Sequence, residues 1–325
     1  MMNNGALVIS LDFELLWGVH DLVTPEGYGV SNVLNVHKAL PLMVDLFEKY
    51  SVHATVATVG LIFCKNKEQA IRKKPALLPT YNNADLCSYK NGYIEGIKDC
   101  YKDMYFAPQL IRKLFQSRCI EIGSHTFSHY YCWEKGQTIE QFEADLLQMK
   151  NIADEFQIDI NSIVFPRNMV DETYLSICTK YGIRTYRGNA PKYFNSTKSK
   201  LVAIKNKVCR VLDAYLNIGG YTSYHIDSIN KQESPVNIPA SRFLRPFNPI
   251  LKALEGLRLE RIQKELMYAA KNNEVYHLWW HPHNFGNNMQ ENLSFLEEIL
   301  KCYKMCHEQY GMQSYSMAEF VDTIK

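Results

Sequence analysis

Six short stretches of the chain are dense in apolar residues, and between them apolar residues recur at helical spacing. Ala6–Leu11 (ALVISL) has the composition of a buried strand, and the β-branched run His53–Val59 (HATVATV) predicts a second. Cys119–Gly123, Ser162–Phe165, Gly182–Tyr186 and Glu274–Trp280 complete the set. Val36, Leu40, Met43 and Phe47 share one helical face. Thr138 and Gln141 have the spacing of a capping box ahead of Phe142, Leu146, Met149, Ala153 and Phe156. Helices are also predicted over Glu172–Tyr181 and from about Pro249 to Lys271. Strands alternating with helices imply an α/β fold with a parallel sheet. Ligands of such sheets sit beyond the carboxyl ends of the strands. That rule points to the residues after Leu11, Gly123, Phe165 and Trp280.

The 325 residues are expected to form one barrel-like unit with insertions near 65–108 and 189–248. A formal net charge of +2 gives no general polyanion affinity, and no nucleic-acid partner is expected. Local charge is more informative. Pro191–Arg210 carries Lys192, Lys198, Lys200, Lys205, Lys207 and Arg210 with no acid. Such a run is either a solvated loop or a contact for phosphate, a lipid-linked substrate or a membrane surface. Nine scattered cysteines without a CxxC pair read as reduced core thiols. No basic-then-apolar leader is evident and no apolar run nears ~18 residues, so a cytoplasmic location is expected.

Three constellations follow strands. GSHTFSH (Gly123–His129) offers His125 and His129, which a helical turn would put on one face toward one ion. His277 and His281 have the same spacing but begin in a strand, where four residues span ~13 Å, so they are not expected to share an ion. SLDFE brings Asp12 and Glu14, at i and i+2, to the end of the first strand, where both can face one site. In HLWWHPHNFG, Pro282 ends the strand and leaves His281 and His283 at its carboxyl edge. Trp279 and Trp280 offer walls for a sugar cleft, and Arg167 with Asn168 follows Phe165 in FPRN.

The ordered set SLDFE, GSHTFSH, FPRN and HLWWHPHNFG resembles the polysaccharide deacetylase superfamily, the NodB-homology fold. The resemblance implies an irregular β/α barrel of about seven strands that removes acetyl groups from amino sugars with a divalent ion, usually zinc. Carried over by position, Asp12 resembles the catalytic base, His125 and His129 the metal histidines, His281 the late catalytic histidine, and Arg167 the arginine that orients the base. Common members have two adjacent aspartates after the first strand. Here Phe13 separates Asp12 from Glu14, a D-x-E form resembling a divergent branch that includes cyclic-amide hydrolases. Glu14 is the expected third ligand and Asp12 the alternative. Asn168, Trp279, Trp280 and His283 are expected substrate contacts, with support of a neighbouring site residue as the alternative for His283. The expected activity is hydrolysis of the N-acetyl amide of an amino sugar in a glycan, glycolipid or nucleotide-sugar precursor. The rivals are a cyclic-amide hydrolase and an inactive carbohydrate-binding barrel.

Overall fold

In the computed structural model, which describes residues 4–190 and 212–324, the first strand β1 (Ala6–Phe13) is buried along its whole length. Burial on both faces is the mark of a strand inside a parallel sheet, and its near-continuous apolar run accounts for it. The further strands are β2 (Ala54–Thr58), β3 (Ile120–Ser124), β4 (Ser162–Ile163), β5 (Thr185–Tyr186), β6 (Tyr224–His225), β7 (Val236–Asn237), β8 (Arg242–Phe243), β9 (Glu274–Trp280) and β10 (Gln313–Tyr315). They order as β6-β9-β1-β2-β3-β4-β5-β7, with β8 beside β9 and β10 beside β1. Every pairing is parallel except β6 with β9. The sheet therefore has ten strands among the described residues, rather than about seven. The excess comes from two-residue pieces such as β6 and β8.

The sheet curls into the expected irregular barrel, and residues 238–244 bridge its open side. Ile238 and Ala240 donate backbone N–H groups to Tyr186 and Gly188 on one flank. Ser241 and Leu244 donate to His277 and Trp279 on the other. Three short strands thus lie inside the region read from sequence as a second insertion, and they belong to the sheet. Strands of two residues carry no detectable period, so sequence reading passes over them.

The described helices are α1 (Val36–Tyr50), α2 (Lys67–Arg72), α3 (Pro108–Gln116), α4 (Ile139–Asp154), α5 (Glu172–Lys180), α6 (Glu255–Lys271), α7 (Met289–Tyr310) and α8 (Met317–Ile324). In α1 the stripe Val36, Leu40, Met43 and Phe47 is buried as its spacing requires. At the start of α4 the Thr138 side chain accepts from Gln141 N–H, and the Gln141 side chain accepts from Thr138 N–H. This is the expected capping box. The helix expected from Pro249 is broken at Leu251 (φ −102°, ψ 16°), so Pro249–Leu254 is a 3-10 turn and α6 begins at Glu255.

The stretch 65–108 contributes α2 and several 3-10 turns. Its Tyr93, Tyr105 and Phe106 pack edge-on or at steep angles around Trp17, with ring centroids 6.3, 5.1 and 5.8 Å away. Trp17 Nε1 also donates to the Tyr105 carbonyl at 2.7 Å. This stretch therefore braces the loop that leaves β1. The basic run Pro191–Arg210 lies outside the described residues. The eight described cysteines are all free, and six are buried. Among the described residues no helix is long and apolar enough to cross a membrane.

After β2 the chain passes so close to the loop following β3 that a Cβ on Gly60 would lie 2.3 Å from Phe127 Cδ2 and 3.0 Å from Phe127 Cα. Gly60→Ala should therefore destabilise the protein by ~1–3 kcal/mol through overpacking, read as a lower urea midpoint. An unchanged midpoint would contradict this account of the contact.

Candidate metal centre

β1 delivers Asp12 and Glu14 to the carboxyl end of the sheet, where both are buried. The strand runs two residues past its sequence-expected end, so Asp12 still lies within it. Glu14 follows, and Leu15 then turns the chain at φ 48° into a 3-10 turn ending at Gly18. The Glu14 carboxylate lies directly over Gly18: a Cβ there would fall 2.0 Å from Glu14 Cδ.

β3 delivers His125, and an irregular loop brings back His129. The expected helical turn is absent. Instead Thr126 and His129 adopt positive φ of 61° and 58°. Thr126 N–H donates to Ser124 Oγ at 3.0 Å, and Tyr130 N–H donates to Thr126 Oγ1 at 2.7 Å. Phe127 N–H and Ser128 N–H donate to the buried Asp145 carboxylate at 2.6 and 3.1 Å, and the Ser128 hydroxyl also donates to it. The histidine spacing was informative, but the geometry that makes it work is a clamped loop.

Glu14, His125 and His129 each offer one ligand atom, all within 4.8 Å of one another. Glu14 Oε2 lies 3.4 Å from His125 Nε2 and 3.1 Å from His129 Nε2. Nδ1 of His125 donates to the Val164 carbonyl at 2.8 Å. Its Nε2 is then the lone-pair nitrogen, and it is buried with no hydrogen-bond partner. Burial acts to raise the Glu14 pKa, but His281, His125 and His129 together hold it well below the ordinary range. A charged carboxylate and two imidazoles form a three-protein-ligand set that fits a divalent ion and leaves a position open.

Asp12 sits beside this group. Arg187 Nη1 and Nη2 each donate to one of its oxygens at 2.7 Å. Burial pushes the Asp12 pKa up, and Arg187, His125 and His281 outweigh it, so the net shift is downward. Nη1 of Arg187 also donates to Ser10 Oγ at 3.0 Å, and Ser10 donates to His277 Nε2 at 2.8 Å. His277 Nδ1 lies 3.2 Å from the carbonyls of Ile238 and Pro239, in the run that bridges the barrel. Nε2 of His281 lies 3.7 Å from both Asp12 Oδ2 and Glu14 Oε1. His281 is partly open to solvent at 24% side-chain exposure.

Residues 32–186 match the family described as polysaccharide deacetylase. That match spans 155 of the 325 residues, a little under half of the chain. Across its full length it is similar in fold to a candidate polysaccharide deacetylase from Mycobacterium smegmatis, with TM-score 0.57, 11% identity and 92% of that chain covered. A GH57-type branching enzyme from Pyrococcus horikoshii matches at TM-score 0.53 and 12% identity, over 99% of this chain and 70% of that one. A 4-alpha-glucanotransferase from Thermococcus litoralis matches at TM-score 0.53 and 11% identity, over 99% of this chain but 40% of its own length. No curated protein matches the sequence. At these identities the likeness to the solved structures is one of fold.

The residues expected to form the site are only partly brought together. Asp12, Glu14, His125, His129, His281 and His283 converge, with His283 Nδ1 at 3.9 Å from Glu14 Oε1. Arg167 does not reach Asp12. It pairs with Asp21 and lies over the Tyr131 ring at 4.4 Å. The Asp12 partner is Arg187, which sequence reading missed although it follows the strand-like run Gly182–Tyr186. Applying the strand-end rule there would have found it. Asn168 meets Arg187 rather than an open cleft, accepting from Nη2 at 2.8 Å. Trp280 is fully buried against Phe47 and Phe285, so it cannot wall a cleft. Trp279 lies under the Arg187 guanidinium at 4.2 Å and beside His281 at 5.7 Å. The His283 ring stacks on His281 at 5.0 Å.

Gly18→Ala should displace the Glu14 carboxylate, weakening divalent-ion binding ~10–100-fold and lowering the urea midpoint as overpacking does. Wild-type metal affinity in that variant would remove Glu14 from the ligand set.

Burial holds His129, His277 and His283 at about 4, about 3 and about 4. Each lies below the ordinary value of ~6.5, so the unfolded chain binds more protons on acidification, and stability present above pH ~6.5 falls toward pH 4. Asp145, raised to about 6 by burial against its hydrogen bonds, acts in the opposite sense below that value. With three imidazoles against one carboxyl, the urea midpoint of metal-free protein should drop steadily between pH 7 and pH 4.5. A flat or rising profile would contradict these assignments.

Proposed function

We propose that the chain is a metal-dependent carbohydrate N-deacetylase that hydrolyses the acetamido group of an amino sugar to acetate and a free amine. The observation that carries this reading is the meeting of Glu14, His125 and His129 with an arginine-held carboxylate, Asp12, and a solvent-accessible His281. A binding protein has no need of that combination.

When bound, the divalent ion, zinc in this reading, supplies Lewis acidity toward a water and the acetyl carbonyl. Asp12 takes the proton of the attacking water as the new C–O bond forms. Arg187 keeps Asp12 charged and fixes both its oxygens, which sets the direction from which it accepts that proton. Ser10 and His277 hold Arg187 from behind. His281 gives a proton to the departing nitrogen, so the C–N bond breaks to a neutral amine rather than an amide anion. His283, stacked on His281 and held neutral by burial, adds no competing charge. Trp279 presents the aromatic face nearest His281 to the sugar ring.

Asp12→Asn should keep its metal and lose ~10²–10⁴-fold in acetate release from an N-acetylated chito-oligosaccharide. His125→Ala should lose the metal itself, read by elemental analysis after dialysis. Retained turnover in the first variant, or full metal content in the second, would overturn the corresponding role.

A further inference from the structure

The two histidines of the metal centre are held in different ways. His125 donates from Nδ1 to the Val164 carbonyl at 2.8 Å, the usual anchor of a metal-binding imidazole. His129 has no such anchor. Its Nε2 faces Glu14 at 3.1 Å, and its Nδ1 is buried with no hydrogen-bond partner. Packing therefore fixes the plane of this ring. The His125 ring lies 5.0 Å from it, and the Tyr131 ring meets it edge-on at 5.0 Å and 83°.

Tyr131 is itself held, though not by its own polar end. It is fully buried, and its hydroxyl has no hydrogen-bond partner. Its backbone N–H donates to the hydroxyl oxygen of Tyr81 at 2.9 Å, and the Tyr81 ring packs edge-on against Tyr130 and Tyr131 at 5.6 and 5.9 Å. Tyr81 is a buried residue of the stretch 65–108, so that stretch reaches the histidine loop as well as Trp17. Over the face of Tyr131, at 4.4 Å, lies the Arg167 guanidinium, which is tied to Asp21 on the segment leaving β1. Arg167 and Asn168 both have positive φ, 55° and 52°, a conformation that costs non-glycine residues energy. That turn sends Arg167 to Tyr131 and Asn168 to Arg187.

We propose that Tyr131 is a positioning residue for His129, and that Arg167 and Tyr81 act on the metal centre through it. The inference rests on the metal centre of the deacetylase reading and deepens it: the arginine of FPRN serves the ligand set, while Arg187 serves Asp12. A flat cation on one side and the Tyr81 hydroxyl on the backbone confine Tyr131. The Tyr131 ring in turn confines an imidazole that has no polar tether on Nδ1. The Tyr131 hydroxyl has no part in this.

The test is titration of the full-length, metal-depleted protein with cobalt(II), whose visible absorption bands report the geometry of the ligands around it. Tyr131→Leu removes the ring and should weaken cobalt binding about 10–100-fold and alter the bands. Tyr131→Phe keeps the ring and loses only the unpartnered hydroxyl, so it should restore the wild-type bands and an affinity within about twofold of wild type. Arg167→Gln and Tyr81→Phe should each weaken binding about three- to tenfold and shift the bands. Thermal melts report folding. The Arg167 side chain is 31% exposed, so Arg167→Gln decides the matter if Tyr131→Leu does not fold. Wild-type affinity and bands in Tyr131→Leu or in Arg167→Gln would overturn the inference, as would a Tyr131→Phe impaired as much as Tyr131→Leu. A wild-type protein that takes up no cobalt would overturn the metal-dependent reading as well, so the two failures are told apart.

Discussion

Two carboxylates held charged at the buried end of one strand are the constraint around which the rest of this structure is arranged. A buried, unpaired carboxylate takes up a proton rather than remain ionised, so Asp12 and Glu14 need cationic or proton-donating neighbours from elsewhere in the chain. Arg187 is supplied after β5, His125 and His129 after β3, and His281 after β9. Each arrives at the carboxyl end of a parallel strand, so the barrel topology itself collects the charges. The arrangement is layered: Asp12 is satisfied wholly within the protein, whereas Glu14 and the unpartnered Nε2 of His125 are left incomplete. One carboxylate is thereby fully paired, and the other keeps an unshared side toward the two imidazoles.

The loop between the two histidines shows how local backbone serves the same end. A single helical turn would have sufficed to align the imidazoles. The chain instead uses positive φ at Thr126 and His129 and ties the loop with Asp145 from α4. The strained conformation persists because the carboxylate engages consecutive backbone N–H groups that would otherwise be buried without partners. The capping box that begins α4 thus also fixes the helix that carries this clamp.

Most of the frame was legible in the sequence because the long strands and helices have strong periods. Ala6–Leu11, His53–Val59 and Glu274–Trp280 were recognisable from composition, and each is a strand within two residues at either end. The helix α7 has an equally plain apolar face in Leu296, Ile299, Leu300 and Tyr303. The two-residue strands had no period to detect. At the site, residue types and strand ends identified the six converging groups, but not which arginine faces Asp12. Arg167 and Arg187 both follow strands, and only three-dimensional placement separates them. Neighbours in a strand point to opposite faces, so Trp279 and Trp280 could never both have faced a cleft.

The way the barrel closes has a consequence for its mechanics. Between β1, β2 and β9 the parallel ladders are long, and they carry Asp12, Glu14 and the approach to His281. Opposite them, the bridge from 238 to 244 is held by single backbone bonds to Tyr186 and Gly188 and by the two-residue ladder of β8 on β9, rather than by a long ladder. One half of the wall is therefore stiff and the other compliant. Local opening is expected to begin along that bridge, where amide hydrogens would exchange earliest, while the acid-bearing strands stay protected. A barrel so built can let its rim yield without disturbing the spacing of its charged groups.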